Sequence, residues 1–129
     1  MKIRIKGNSI RFRLTQSEVR QLQEKGHIGE STRFGPTADA LFQYRIDSRE
    51  AGEAIGARYC SHTISVLIPE EQIAHWASSA QVSLRQQMQV SATEQLDILI
   101  EKDFKCLTDR PGEDESDHFP HPKEHDLKC

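Results

Sequence analysis

Cysteine is scarce and unpatterned in this chain. Of 129 residues only Cys60, Cys106 and Cys129 are cysteines, and no Cys-x-x-Cys pair occurs. An odd number without a dense framework excludes a disulfide-stapled miniature domain and makes reduced thiols the expectation. Long apolar runs are also missing. Nothing approaches the roughly 18 consecutive apolar residues of a membrane span, and the first residues alternate charge with isoleucine instead of leading into an export segment. A cytoplasmic, membrane-free protein is the expectation. Aromatic residues make up 6% and apolar residues 36% of the chain, with one tryptophan, so there is material for a single economical core and not for two.

The net charge of -3 is modest, but it is unevenly distributed. Residues 1–50 hold ten Lys/Arg against six Asp/Glu, and residues 101–129 hold five against nine. Oppositely charged ends favour self-association, through folding back or through a second copy.

The chain matches itself at an offset of 54 residues. Apolar pairs recur without a gap: Ile3/Ala57, Ile5/Tyr59, Ile10/Ile64, Phe12/Val66, Leu14/Ile68, Val19/Ile73, Leu22/Trp76, Ile28/Val82, Phe34/Met88, Phe42/Leu96, Tyr44/Ile98 and Ile46/Ile100. Each copy begins with alternating segments, Met1–Lys6 and Ser9–Leu14 in the first, around a tight turn at Gly7-Asn8. The matching turn is Ser61-His62, and histidine tolerates a positive φ well enough to serve there for geometry. Thr15-x-x-Glu18 is a capping box, so a helix should run from there to about Lys25 and close at Gly26. In the second copy Pro69, Glu70 and Glu71 suit a helix start, with Ile73, Trp76 and Ala77 facing inward. Two strands should follow each helix, over 27–34 and 40–48, then over 81–89 and 94–103.

The expected fold class is therefore α+β and mostly antiparallel β. A duplicated strand-strand-helix-strand-strand unit would form one strongly curved sheet or an eight-stranded barrel with two helices and pseudo-twofold symmetry. Residues 1–107 would be the duplicated domain, in copies 1–54 and 55–107. Residues 108–129 would be a tail, acidic over 113–117 and broken by Pro111, Pro120 and Pro122. Such a tail is either disordered or draped over the basic part of the domain.

The opening MKIRIKGNSIRFRLT, the helix start after it and the late EKDFKCL resemble short bacterial proteins known only as a domain of unknown function. The likeness covers nearly the whole chain. It implies a shared fold and a bacterial cytoplasmic origin and brings no activity with it. As architecture alone, the layout also resembles the CYTH-like tunnel triphosphatases, whose eight-stranded barrel has a charged lumen. Those enzymes carry Glu-x-Glu-x-Lys near the start, where this chain has Lys2-Ile3-Arg4-Ile5-Lys6, so no metal-binding carboxylate is carried over.

Three constellations could carry chemistry. Lys2, Arg4, Lys6, Arg11, Arg13 and Arg45 all have the parity opposite to the apolar positions of their strands, and Arg58 is the mate of Arg4 at offset 54. Such a face has the electrostatic footprint for an anionic small molecule or an acidic protein segment. It equally fits a solvated sheet face that charge protects against aggregation. With no aromatic residue interleaved, nucleic acid is a poor match. Leu67 and Leu99, also mates of basic positions, suggest that part of the face is covered, by the tail or by a second copy in a homodimer. Second, Cys106, His118, His121, His125 and Cys129 lie within the broad spacing of zinc ligands, as a structural metal site or as a merely histidine-rich tail. Third, Asp97, Glu101 and Asp103 alternate along the last strand and could hold a hard cation or form ion pairs across the sheet.

The sequence thus reads as a small binding or assembly module with Arg4, Arg11, Arg13, Arg45 and Arg58 as contacts. It assigns no catalytic residue and requires no cofactor, zinc being the one ion its tail admits. Two alternatives remain, a metal-dependent phosphohydrolase with its site in a barrel lumen and a zinc-stabilised structural protein.

Overall fold

In the computed structural model, which describes residues 1–104 and 116–120, alternation of apolar and polar residues has produced eight strands in two sheets. Strand β1 (Lys2–Ile5) turns back into β2 (Ser9–Leu14) through Gly7, whose φ of +54° is costly for any residue with a Cβ. Helix α1 (Gln16–Lys25) begins at Thr15, whose backbone N–H donates to Glu18 Oε1 at 2.9 Å. It ends at Gly26, which adopts the left-handed conformation at φ +79° and donates its N–H to the Leu22 carbonyl. Strands β3 (His27–Arg33) and β4 (Leu41–Arg49) form the next hairpin. Strands β5 (Gly56–Cys60) and β6 (Thr63–Pro69), helix α2 (Glu70–Ser78), and strands β7 (Ser83–Gln89) and β8 (Gln95–Lys102) repeat the order. The β5–β6 turn places both Ser61 and His62 at positive φ, so the geometric role expected of His62 is the observed one.

The expectation of one curved sheet or a closed barrel is corrected: there are two separate four-stranded sheets, ordered β1-β2-β8-β7 and β3-β4-β6-β5. They are also mixed, because β2 runs parallel to β8 and β4 parallel to β6. The helices explain both departures. Each carries the chain out of one sheet and into the other, so every hairpin is completed by a strand from the opposite half of the chain. A reading based on sequence-adjacent antiparallel pairs does not reveal such parallel seams.

Both sheets and both helices contribute to one core. Phe12, Leu14, Ile98 and Ile100 of the first sheet and Ile46, Val66 and Ile68 of the second are fully buried. The Phe12 and Tyr44 rings meet across the layers with centroids 6.3 Å apart. Leu22 of α1 and Trp76 of α2 are also fully buried, and the Trp76 indole N–H donates to the Val82 carbonyl at 3.0 Å. No helix among the described residues is long and apolar enough to cross a membrane.

The constant offset of 54 holds for the registers of β1–β2 against β5–β6 and of β2–β8 against β6–β4. For example, Ser9 faces Asp97 and Thr63 faces Gln43. It fails in β7. Ile28 faces Ile46 and Leu84 faces Ile100, so the position corresponding to Ile28 is Leu84 and not Val82, and that corresponding to Phe34 is not Met88. Residues 79–82 lengthen the link into β7, and a shorter turn between β7 and β8 compensates.

Residues 116–120 return to the domain at the start of α1. The Gln16 and Ser17 backbone N–H groups donate to the Asp117 carbonyl and carboxylate, and Phe119 N–H donates to the Asp103 carbonyl at 2.8 Å. A carboxylate at a helix N-terminus meets free amides and the positive end of the dipole. The acidic residues 113–115 lie outside the described residues.

Candidate functional site: a cationic trough on one sheet

Period-two alternation fixes which side chains leave the first sheet outward. Ile10, Phe12 and Leu14 of β2 and Ile98 and Ile100 of β8 point into the core, so Ser9, Arg11, Arg13, Asp97, Leu99 and Glu101 point away from it. Cross-strand register then lines these residues up. Arg4 faces Arg11, Arg11 faces Leu99, and Leu99 faces Arg85, which puts three arginines and one leucine on a single rung spanning all four strands. The adjoining rung is Lys2, Arg13, Glu101 and Ser83.

A depression of about 420 Å³ follows the arginine rung, lined by Arg4, Lys6, Arg11, Arg85, Asp97 and Leu99 among others. The basic groups in and beside it differ in how far they are already engaged. Glu101 accepts from Arg11 Nε at 2.9 Å and from Arg13 Nε at 2.6 Å, so one carboxylate holds two guanidinium groups. Among the described residues no ion pair engages Arg4, Lys6 or Arg85. Directly opposed like charges, as at Arg4 and Arg11, are destabilising on a sheet unless an anion lies between them.

The five arginines expected to act together are divided between the sheets. Arg4, Arg11 and Arg13 lie on the first, whereas Arg45 and Arg58 lie on the second, because β4 pairs with β6 and not with β2. On that second sheet the corresponding rung reads Arg58, Ser65, Arg45 and Gly29. Gly29 lets the Arg45 side chain lie close, since a Cβ there would come within 3.0 Å of Arg45 Cβ. Asp47 receives Arg45 through two hydrogen bonds, of 2.8 and 2.6 Å, which raises the guanidinium pKa and balances its positive charge with a carboxylate. The mated leucines separate likewise, Leu99 in the middle of the arginine rung and Leu67 on the other sheet opposite Gly56.

Arg85 was missed by reasoning from the repeat, which looked only at position n+54. The signal was present: Arg85 follows the buried Leu84, and its strand forms a hairpin with β8.

Of the tail residues with metal-ligand chemistry, only His118 is described; Cys106, His121, His125 and Cys129 lie outside the described residues. His118 is buried, with Nε2 3.0 Å from Asp103 Oδ2 and Nδ1 without a hydrogen-bond partner among the described residues. The three carboxylates of β8 and its end are dispersed in use. Asp97 lines the trough, Glu101 holds Arg11 and Arg13, and Asp103 is buried against His118 with Lys2 Nζ at 3.5 Å. Among the described residues no group of three or more His, Cys, Asp or Glu side chains could hold a metal ion. Cys60 is free and exposed at the end of β5.

Lys102 is buried, and no ion pair engages it among the described residues. Desolvation lowers its pKa, and its ammonium donates to the Ser79 carbonyl at 2.7 Å between the Trp76 and Phe119 rings. It closes the joint between β8, α2 and the returning tail and does not reach the trough.

The model of a family of unknown function, DUF7009, matches residues 1–123. No curated protein and no solved structure matches the chain.

Proposed function

We propose that this chain, which belongs to the family of unknown function DUF7009, is a small module that binds an anionic ligand on the outer face of its β1-β2-β8-β7 sheet. The observation that carries the reading is the rung Arg4, Arg11, Leu99, Arg85, set in a depression of about 420 Å³ with two of its arginines free of ion pairs among the described residues. Guanidinium groups on a rigid sheet are preorganised for bidentate contacts with phosphate or carboxylate oxygens. Asp97 and Glu101 break the positive field, and no aromatic side chain stands on the two rungs. A compact polyanion or a short acidic segment therefore fits better than a nucleic-acid strand. The cytoplasm is the compartment we assign to it.

We also infer that the chain arose by doubling of a strand-strand-helix-strand-strand unit. What supports this is that exchanging the halves turns one sheet order into the other and preserves the parallel-seam registers. The trough is then a feature of one sheet that its counterpart lacks, since Arg11 corresponds to Ser65 and Leu99 to Arg45, which Asp47 occupies.

Calorimetric titration with inorganic pyrophosphate at low ionic strength tests the reading. Arg4→Gln and Arg85→Gln are each expected to weaken binding about tenfold, the worth of one charge-assisted hydrogen bond, while Lys25→Gln on α1 leaves it unchanged. Absence of binding, or equal losses in all three variants, would overturn it.

A further inference from the structure

A second depression, apolar and sharing Ser9 and Ile10 with the trough but none of its charged residues, has the chemistry of a ligand site of its own. It measures about 490 Å³, within the size range of small-molecule pockets, and opens at the end of the two-sheet stack opposite the helices. Ile5, Tyr59, Ile64, Met88, Val90 and Leu96 form its apolar wall. Ile5, Tyr59 and Val90 are 57%, 66% and 48% exposed, an unusual concentration of large apolar surface in a chain with so few such residues.

The opening is one-sided for a reason legible in the registers. Positions 42 and 44 on β4 hold Phe42 and Tyr44, whose ring centroids lie 6.0 Å apart, with Tyr44 reaching on to Phe12. The corresponding places on β8 hold Leu96 and Ile98, which are smaller. The aromatic pair occupies its end of the stack, and the aliphatic pair leaves room.

One charged residue is among those lining this apolar depression, Arg58, which stands on the outer rung of the second sheet but on its edge strand β5, and no ion pair engages it among the described residues. An apolar wall with a single free guanidinium is complementary to a molecule with one anionic end and a hydrocarbon body. We propose that this depression binds an amphipathic monocarboxylate, a free medium-chain acyl carboxylate, with the hydrocarbon against Ile5, Met88, Val90 and Leu96 and the carboxylate on Arg58. A lone guanidinium matches one carboxylate in fork geometry, whereas a polyanion needs the row of cations found on the trough. The site uses none of the trough's charged residues, so either can fail alone.

Titrating the full chain with hexanoate, octanoate and decanoate, and with 1-decanol as the uncharged probe, separates the outcomes. Affinity is expected to rise about fourfold per methylene, the change that about 0.8 kcal/mol per buried CH₂ corresponds to. Arg58→Gln should weaken decanoate about tenfold and leave decanol unchanged. Val90→Glu, at an exposed position where folding tolerates charge, should abolish the chain-length gradient while the far-ultraviolet spectrum stays unchanged. Pyrophosphate binding should be unaffected in both variants. Affinity independent of chain length, decanoate binding insensitive to Arg58→Gln, or no binding of any acyl probe would overturn the proposal. Decanoate displaced by pyrophosphate would overturn it too, by placing the carboxylate on the arginine rung.

Discussion

Replacing Glu101 by glutamine should move stability and anion affinity in opposite directions. The Glu101 side chain is 15% exposed and holds Arg11 and Arg13, which are 30% and 40% exposed. Two charge-assisted hydrogen bonds would contribute about 3 kcal/mol or more if buried, but exposure of both arginines reduces this to about 1–2 kcal/mol. Glutamine retains one acceptor oxygen, so a loss of about 1 kcal/mol is expected. The same substitution removes a negative charge beside the trough. At a few ångströms in largely aqueous surroundings, that charge costs a bound anion about 1 kcal/mol, so pyrophosphate affinity should rise about fivefold. Urea unfolding measures the first quantity and calorimetry the second, each at low and high salt. Salt should shrink both effects, because screening acts on exposed charges. A variant of lower stability that bound pyrophosphate no better, or more weakly, would show that the anion does not lie beside Glu101, and the trough assignment would fall with it.

Two further outcomes test the fold that positions these sites. Gly26→Ala should cost about 1–2 kcal/mol in urea unfolding, because φ is +79° and the new Cβ would lie 3.0 Å from Ser48 Oγ; Gly7→Ala, at φ +54° with open space around it, should cost less, and Ser48→Ala should recover part of the Gly26→Ala loss and none of the Gly7→Ala loss. Asp117 titrates below the usual carboxylate range, held there chiefly by the Ser17 hydroxyl and then by Thr15. Its folded pKa lies below its unfolded one, so its contribution is present above pH about 4 and disappears as pH falls through the folded value. Thermal unfolding of wild type and Asp117→Asn should therefore differ at pH 5 and converge near pH 2, and a difference that persisted at pH 2 would mean that the carboxylate's charge is not what docks residues 116–120.

Much of the local structure was legible in the sequence, because it depends on local physics. Thr15 and Glu18 start α1, Gly26 ends it, Gly7 turns the first hairpin, and the parity of Phe12 and Val66 assigns both to the interior, where both are fully buried. Pairing between distant strands was not legible. Nothing in the composition of β2 says that it runs beside β8, since an apolar alternation fits a parallel neighbour as well as an antiparallel one. The error carried over to the site. Arg45 shares its parity with Arg11 and by parity alone belongs with it, although it lies on the other sheet, while the place of Arg85 depends on β7 pairing with β8, which parity does not show. A constant offset also assumed no insertion between α2 and β7, and the longer link there shifted Val82 and Met88 out of their expected places.

The exchange of strands between halves explains how two halves with one element order can give outer faces with unlike linings. Were each half to form its own sheet, substitutions in one half would alter one sheet and leave the other as it was. Here each outer face draws two strands from each half, so Arg11 from the first half and Arg85 from the second meet across Leu99 on one sheet. The partners of Leu99 and Arg45 are set by the same seams: Leu99 falls between arginines, and Arg45 falls beside Ser65 and Gly29, where it turns to Asp47. A single substitution at a seam strand therefore changes the environment of residues from the other half without disturbing the buried positions that hold both sheets together. The difference between Leu99 and Arg45 leaves one face with two arginines that no ion pair engages among the described residues, and the other with its central charge paired to Asp47.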